Sequence, residues 1–258
     1  MLPKLIPIIV IVVLVWLLFF NHRGIPALSR RTGRKVRDLK QAGAELVDGE
    51  EVEGSPLARY EFQAGRAVTA RILTEHPLAG DAAMQKRVLR IGRRLAEGSS
   101  RKEIRYRFAV LEDSDPNAMA IPGGSIFLTR GLVELCDDDD LLAGILSHEI
   151  AHIDLRHAAR TLATRAVAKT GLRLLTFGRG AVVGQLAGRV EDLVTRGYSR
   201  DREIQADRTA TRLATRAGFS RNGLARFLAS VVNSAVEGAA YFQSHPPLAE
   251  RLYELESG

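Results

Sequence analysis

The stretch from Leu141 to His157 reads LLAGILSHEIAHIDLRH and contains the pattern H-E-x-x-H as His148, Glu149 and His152. Its apolar residues recur at helical spacing, and residues four positions apart on an α-helix lie one above the other. A helix here would direct both imidazoles at one point, where their nitrogens suit a zinc ion. Glu149 is close enough to take a proton from a zinc-bound water, whose pKa the metal lowers towards neutrality. The stretch therefore predicts a zinc-dependent hydrolytic site.

The alternative for the two histidines is an ordinary place in the core, on the apolar face of a helix. Six histidines among 258 residues make a chance H-E-x-x-H uncommon, so the pattern favours metal binding without deciding it. Four aspartates at positions 137–140 precede the stretch and can cap the first turn of the predicted helix.

A third ligand must come from elsewhere in the chain, because a catalytic zinc site combines three protein ligands with an open position. The metzincin pattern would place a histidine at position 158, but Ala158 stands there. Residues 198–212 read YSRDREIQADRTATR and place Glu203 and Asp207 four positions apart on one face of a predicted helix. From spacing alone, Glu203 is explained equally well as a ligand and as a solvated helix carboxylate.

Four segments carry a resemblance to a known family. In chain order they read AMAIPGGSIFLTRGLVEL (118–135), SHEIAH (147–152), SRDREIQAD (199–207) and SHPPLAERL (244–252). Together they resemble the M48 family of membrane-associated zinc endopeptidases, and the set is far more specific than H-E-x-x-H alone. The resemblance implies an α+β, mainly helical, zincin-like domain over residues 57–258, which would bind one zinc ion per chain. With the strands described below, we expect this domain to contain a small antiparallel sheet.

The resemblance also implies roles for individual residues. Glu149 becomes the general base, and Asp207 occupies the position of a family aspartate. Physically, Asp207 would accept a hydrogen bond from a ligand histidine and so fix its tautomer. The zinc ligands that the resemblance implies are His148, His152 and Glu203.

Two further histidines need separate interpretations. The resemblance implies that His245, together with Arg251, reaches the site from the C-terminal segment, where His245 would stabilise the oxyanion of the tetrahedral intermediate. The residues alone explain His245 as well by a loop position before two prolines. His157 lies five positions after His152, on a different face of a continuous helix, so the spacing gives it a supporting role and not that of a ligand.

Two segments before the H-E-x-x-H stretch have the pattern of strands. Residues 104–110 alternate apolar and polar side chains, which predicts a half-buried strand. Residues 118–121 and 125–129 flank the turn Pro122-Gly123-Gly124, which predicts a hairpin. The alternatives for this hairpin are a purely structural element and an edge strand that pairs with an extended substrate. The family resemblance favours substrate binding, by Asn117, Ala118, Met119 and Ala120.

The N-terminus begins with an uncharged apolar run, LIPIIVIVVLVWLLFF, at residues 5–20. We expect residues 1–22 to form a single membrane anchor, followed by a basic linker over residues 23–56. A cleaved signal peptide is the alternative, but the available site after Ala27 has the bulky Ile25 at its −3 position.

The positive charge of the chain is concentrated beside this apolar run. Residues 1–40 carry eight Lys and Arg against one Asp, which equals the formal net charge of +7 for the whole sequence. The tract at residues 23–40 is therefore predicted to contact anionic lipid headgroups, and the absence of interleaved aromatic residues argues against nucleic-acid binding. The positive-inside rule favours a cytoplasmic catalytic domain, whereas the family resemblance favours the opposite side of the membrane.

The sequence as a whole predicts a membrane-anchored zinc endopeptidase that hydrolyses misfolded or membrane-associated proteins. A prenyl-protein protease is an alternative, but that activity is associated with many membrane spans. A non-catalytic, zinc-stabilised chaperone or scaffold is another alternative. Glu149 argues against it, because a purely structural zinc site would need no base and would have no open position.

Overall fold

The computed structural model describes residues 56–161, 197–232, 240–245 and 248–257, together with positions 41, 43, 44 and 46. The predicted anchor at residues 1–22 and the basic tract at 23–40 lie outside the described residues. None of the helices within these described ranges is both long and apolar enough to cross a membrane.

Helices make up most of the described chain. Two of them, α1 (Pro56–Glu75) and α2 (Ala82–Ala96), precede a small sheet and are separated by residues 76–81, which include Pro77. The helices that follow the sheet are α3 (Arg130–Glu134), α4 (Asp139–Asp154), α5 (Arg200–Arg216), α6 (Gly223–Val231), α7 (Ala240–Ser244) and α8 (Leu248–Ser257).

The sheet consists of β1 (Arg107–Leu111), β2 (Ala118–Ile121) and β3 (Ser125–Thr129) in the order β1-β3-β2. The predicted hairpin is confirmed, because β2 and β3 pair antiparallel across the Pro122-Gly123-Gly124 turn. The fully antiparallel sheet that we expected is wrong, because β1 pairs with β3 in parallel. The chain passes from β1 to the far edge of the sheet and returns through β3 to its centre.

The first strand also differs from the half-buried strand that its alternating sequence predicted. It begins at Arg107, and its residues from Phe108 to Leu111 are all buried. Phe108 and Val110 join the core cluster formed with α2, α4, α5 and α6, whereas Ala109 and Leu111 join a second cluster with α1. Helices therefore cover both faces of the sheet. The polar residues of the alternation lie before the strand, at Arg105, and at its first position, Arg107.

The H-E-x-x-H stretch lies on α4, as its periodicity predicted. The side chain of Asp138 caps this helix by accepting a hydrogen bond from the Leu141 backbone N–H at 2.9 Å. All residues from Leu141 to Ile153 are buried, so α4 has no solvent-facing side. Gly144 permits the close approach of α6, because a Cβ added at Gly144 would lie 2.4 Å from the backbone nitrogen of Leu224.

Gly144→Ala is expected to destabilise the protein, although alanine is the better helix former. The new methyl group would meet the backbone of α6, which cannot move as a flexible side chain could, so we expect a loss of about 1–3 kcal/mol in the free energy of unfolding. Urea unfolding measures this loss. Gly43→Ala is the matched control, because a Cβ there meets nothing within 4 Å. Equal stability of both variants would show that the α4–α6 approach is not close.

Candidate metal centre

The two histidines of α4 and one carboxylate of α5 meet in the protein interior. The Nε2 atoms of His148 and His152 are 2.9 Å apart, as expected for residues one turn apart on a helix. From α5, Glu203 brings Oε2 to 3.4 Å from His148 Nε2 and Oε1 to 3.5 Å from His152 Nε2. All three side chains are buried. The fold thus brings together the three residues that the resemblance assigned as ligands.

The Glu203 carboxylate shows that this group of side chains fits a cation. Neither of its oxygens has a hydrogen-bond partner within the described part of the chain, although both are buried. A buried carboxylate without hydrogen bonds is costly unless a cation compensates its charge. His148, His152, Glu203 and His245 each place one ligand-type atom within 4.8 Å of the others. Imidazole nitrogens and a carboxylate oxygen are donors that suit a divalent transition metal.

Asp207, one turn after Glu203 on α5, supports the first of these histidines. Its Oδ1 lies 2.8 Å from His148 Nδ1, so the Nε2 of this imidazole is turned towards Glu203. Burial and Arg251 lower the pKa of His148, but the neighbouring carboxylates of Asp207 and Glu203 outweigh them and raise it to about 9. A proton therefore balances the two carboxylates when no cation does, and metal binding would displace it.

Arg251 of α8 neutralises the same carboxylates from the other side. Its Nε and Nη2 each donate to Asp207 at 2.8 Å, in a two-pronged pair that is shielded from solvent. Its Nη1 donates to the backbone carbonyl of His245 at 2.9 Å and lies 3.4 Å from Glu203. Burial would raise the pKa of Asp207, but the Arg251 guanidinium and the His148 imidazole hold it well below its usual range.

His245 also reaches the centre. Its Nδ1 lies 3.0 Å from the backbone carbonyl of Tyr241, and its Nε2 lies 3.7 Å from Glu149 Oε1. Burial lowers the pKa of His245 to about 4. Its Nε2 lies beside the predicted general base, and its role as an oxyanion donor stays a prediction.

Glu149 faces the same space as His245. Its Oε1 is buried without a hydrogen-bond partner in the ranges described above. Burial, supported by the negative charge of Glu203, raises the pKa of Glu149 to about 7. A carboxylate with a pKa in this range is suited to exchange a proton with a neighbouring water.

Two rings pack against His152: Tyr198, which had no clear signal in the sequence, and His157, for which the spacing predicted a supporting role. The ring of Tyr198 stacks on His152 with centroids 4.4 Å apart, and His157 Nδ1 lies 2.9 Å from His152 Nδ1. Gly197 makes the first contact possible, because it has φ +78° and a Cβ there would lie 1.8 Å from the carbonyl oxygen of Ser244. The helical spacing of His157 separated it from His152, whereas the end of α4 brings the two rings together.

The hairpin places β2 at an edge of the sheet, beside α4. The Thr129 backbone N–H donates to the carbonyl of Asn117 at 2.9 Å, and backbone groups alternate sides along a strand. Ala118 and Ala120 therefore direct their N–H and C=O groups away from β3. A cavity on this side of the site is lined by Ala120, His152 and Tyr198, among others.

Comparisons with known proteins agree with this geometry. Residues 82–258 match the model of Peptidase family M48. The chain belongs to this family. It is 30% identical over 175 residues to mitochondrial metalloendopeptidase OMA1 of Schizosaccharomyces pombe. This matched region covers 66% of the chain and 51% of the relative. It is 31% identical over 177 residues to metalloprotease YcaL of Escherichia coli. This matched region covers 66% of the chain and 68% of the relative.

A longer relative is the beta-barrel assembly-enhancing protease of Escherichia coli. It is 26% identical over 207 residues, which cover 75% of the chain but 41% of that protein. The chain thus spans about half the length, or less, of several M48 relatives that it matches. The M48 match itself includes every residue of the centre described above, from α4 to α8.

Arg251→Met is expected to lower the free energy of unfolding by about 3–5 kcal/mol, because it leaves the buried carboxylates of Asp207 and Glu203 without their guanidinium. Urea unfolding followed by circular dichroism measures the change. The matched control is Arg208→Met, which removes an exposed ion pair of 3.0 Å to Glu254 between the same two helices. We expect this variant to unfold like the wild type, since exposed pairs contribute little. Similar losses in both variants would contradict the assigned role of Arg251.

Proposed function

We propose that this M48 chain is a zinc-dependent endopeptidase in which His148, His152 and Glu203 hold one zinc ion per chain. The observation that supports it most directly is the Glu203 carboxylate, buried without hydrogen bonds opposite two imidazole nitrogens. Membership in Peptidase family M48 and similarity to proteins named metalloendopeptidase and metalloprotease support the same activity.

In the proposed mechanism, bound zinc supplies a Lewis acid that polarises the scissile carbonyl and acidifies a water. Glu149 takes the proton of the attacking water on its unpartnered Oε1 and later passes it to the leaving amine. Asp207 holds His148 with its Nε2 turned inward, and Arg251 keeps Asp207 ionised. His245 lies next to Glu149, where a proton on its Nε2 would stabilise the oxyanion of the tetrahedral intermediate.

The substrate is proposed to be an extended protein segment that adds to the free edge of β2. Asn117, Ala118, Met119 and Ala120 form this binding strand, and the outward backbone groups of Ala118 and Ala120 would pair with the substrate. Main-chain pairing is independent of substrate sequence, which suits unfolded or misfolded proteins. The name of the Escherichia coli relative, beta-barrel assembly-enhancing protease, supports clients of that kind.

We further propose that the apolar residues 5–20 anchor the enzyme in a membrane as a single span, and that the basic tract at 23–40 contacts anionic lipid headgroups. The uncharged apolar run and the adjacent excess of Arg and Lys support this proposal. Retention of the chain in the membrane pellet after carbonate extraction, and its release after deletion of residues 1–22, would test it.

Glu149→Gln is expected to bind one zinc per chain but to slow casein degradation by about 10²–10⁴-fold, because it removes the proton acceptor and leaves the ligands in place. Zinc content by mass spectrometry and the rate of casein cleavage are the two measurements. Glu97→Gln, at an exposed position after α2, is the matched control.

Three outcomes of this experiment have different meanings. Wild-type cleavage that a chelator removes and zinc restores supports the enzyme. A protein that binds zinc but never cleaves casein favours the non-catalytic scaffold. Full activity of Glu149→Gln would exclude Glu149 as the base.

Ala120→Pro is expected to reduce kcat/KM for an extended peptide by about 5–10-fold, because proline removes one outward N–H, worth about 1 kcal/mol in a hydrogen bond. The pairing of β2 with β3 does not use this N–H. Steady-state kinetics on a fluorogenic peptide gives the comparison. Ala120→Gly keeps the N–H and should retain most activity. Equal losses in both variants would assign the effect to the side chain and argue against strand addition.

A further inference from the structure

The two imidazoles of α4 have different partners behind them. His148 Nδ1 faces the Asp207 carboxylate at 2.8 Å, the usual arrangement for a metal-binding histidine. His152 Nδ1 instead faces a second imidazole, that of His157, at 2.9 Å. Both rings of this second pair are buried, and they meet edge to face with centroids 5.0 Å apart.

The contacts of His152 determine which nitrogen carries its proton. Its Nε2 faces His148 and Glu203, so a metal at that point requires a lone pair on Nε2. The proton of a neutral His152 must then be on Nδ1, and His157 Nδ1 must accept it. His157 would then carry its own proton on Nε2, a buried atom without a hydrogen-bond partner among the described residues. The short distance between the two Nδ1 atoms is consistent with one tautomer of each ring.

The end of α4 is built to return His157 to this place. The helix ends at Asp154, and Arg156 has φ +55°, a left-handed conformation at which glycine is usual. Arg156 stays there with its side chain paired to Glu61 at 3.2 Å and to Glu103 at 3.4 Å. The turn moves His157 off the helical path and places its ring against His152.

Tyr198 restricts His152 from a second direction. Its ring stacks almost parallel to the ring of His152, with an interplanar angle of 19°. The centroids of the Tyr198 and His157 rings are 5.6 Å apart. The backbone carbonyl of His157 also accepts a hydrogen bond from Arg202 at 3.4 Å, next to the ligand-bearing position of α5. The contacts of His157 therefore connect the end of α4 to α5.

We propose that His157 is a positioning residue that fixes the tautomer and ring orientation of His152, as Asp207 does for His148. This inference rests on the proposed function, because it concerns the binding of a divalent metal by His152. The hydrogen-bond and ring contacts of His157 within the described residues include His152, Tyr198, Thr161 and Arg202. Its effect is therefore on metal affinity and on the tautomer of His152, and it acts on turnover only through them.

The test compares His157→Leu with His157→Asn in the full chain, purified in detergent. Leucine fills the space without an acceptor, whereas the asparagine carbonyl oxygen can lie where Nδ1 lies and accept the His152 proton. We expect His157→Leu to weaken zinc binding, measured by chelator competition, by about 10–100-fold, and His157→Asn to recover most of this loss. His76→Leu, at a partly exposed histidine outside the site, is the control and should bind like the wild type.

A second readout does not require metal. Long-range ¹H–¹⁵N correlation of the histidine rings in the zinc-free protein should show the His152 proton on Nδ1 in the wild type and in His157→Asn, and a mixture of tautomers in His157→Leu. Unchanged zinc affinity in His157→Leu, or a wild-type His152 proton on Nε2, would overturn the inference. A wild-type protein that binds no zinc would instead count against the proposed function, and the tautomer result would still decide the role of His157.

Discussion

The buried ion pair between Arg251 and Asp207 is the contact on which the rest of the centre depends. Helix α5 inserts two carboxylates, Glu203 and Asp207, into an interior that has little other positive charge. Burying such charges costs several kcal/mol each unless they are paired. Arg251 pairs with one carboxylate through two hydrogen bonds and approaches the other at 3.4 Å. The last helix of the chain thereby makes the α5 carboxylates compatible with a folded core.

The same constraint explains why the two histidines of α4 have dedicated neighbours behind their rings. This helix is buried from Leu141 to Ile153, so water cannot serve as a general substitute partner for its side chains. His148 faces Asp207, and His152 faces His157. One oxygen of Glu149 on α4 and both oxygens of Glu203 on α5 are among the buried atoms without a hydrogen-bond partner in the described part of the chain, and in a natural core such exceptions indicate function. The carboxylate oxygens that lack partners among the described residues are therefore the ones that the proposed mechanism uses.

Local patterns in the sequence predicted the parts of the site that lie close together in the chain. The spacing of His148 and His152 predicted α4, and the Pro122-Gly123-Gly124 turn predicted the hairpin. Spacing could not bring Glu203 to this helix, because Glu203 lies 51 positions after His152 and its approach depends on tertiary packing. The parallel pairing of β1 with β3 was also beyond local reasoning, since strand order depends on the helices that cover both faces. Helical periodicity predicted a supporting role for His157 but not its contact with His152, because one left-handed residue at Arg156 ends that periodicity.

The packing around α4 also constrains how a substrate can approach. In the described part of the chain, α2, α5 and α6 pack against this helix, whereas β2 lies beside it with one edge unpaired by any strand. The cavity that Ala120 shares with His152 and Tyr198 lies on this side. A segment paired to β2 would therefore bring its backbone towards the two imidazoles. Main-chain pairing would determine how far its scissile carbonyl reaches into the site. A substrate would have to be extended to pair in this way, so strand addition as proposed would favour unfolded segments over compact ones.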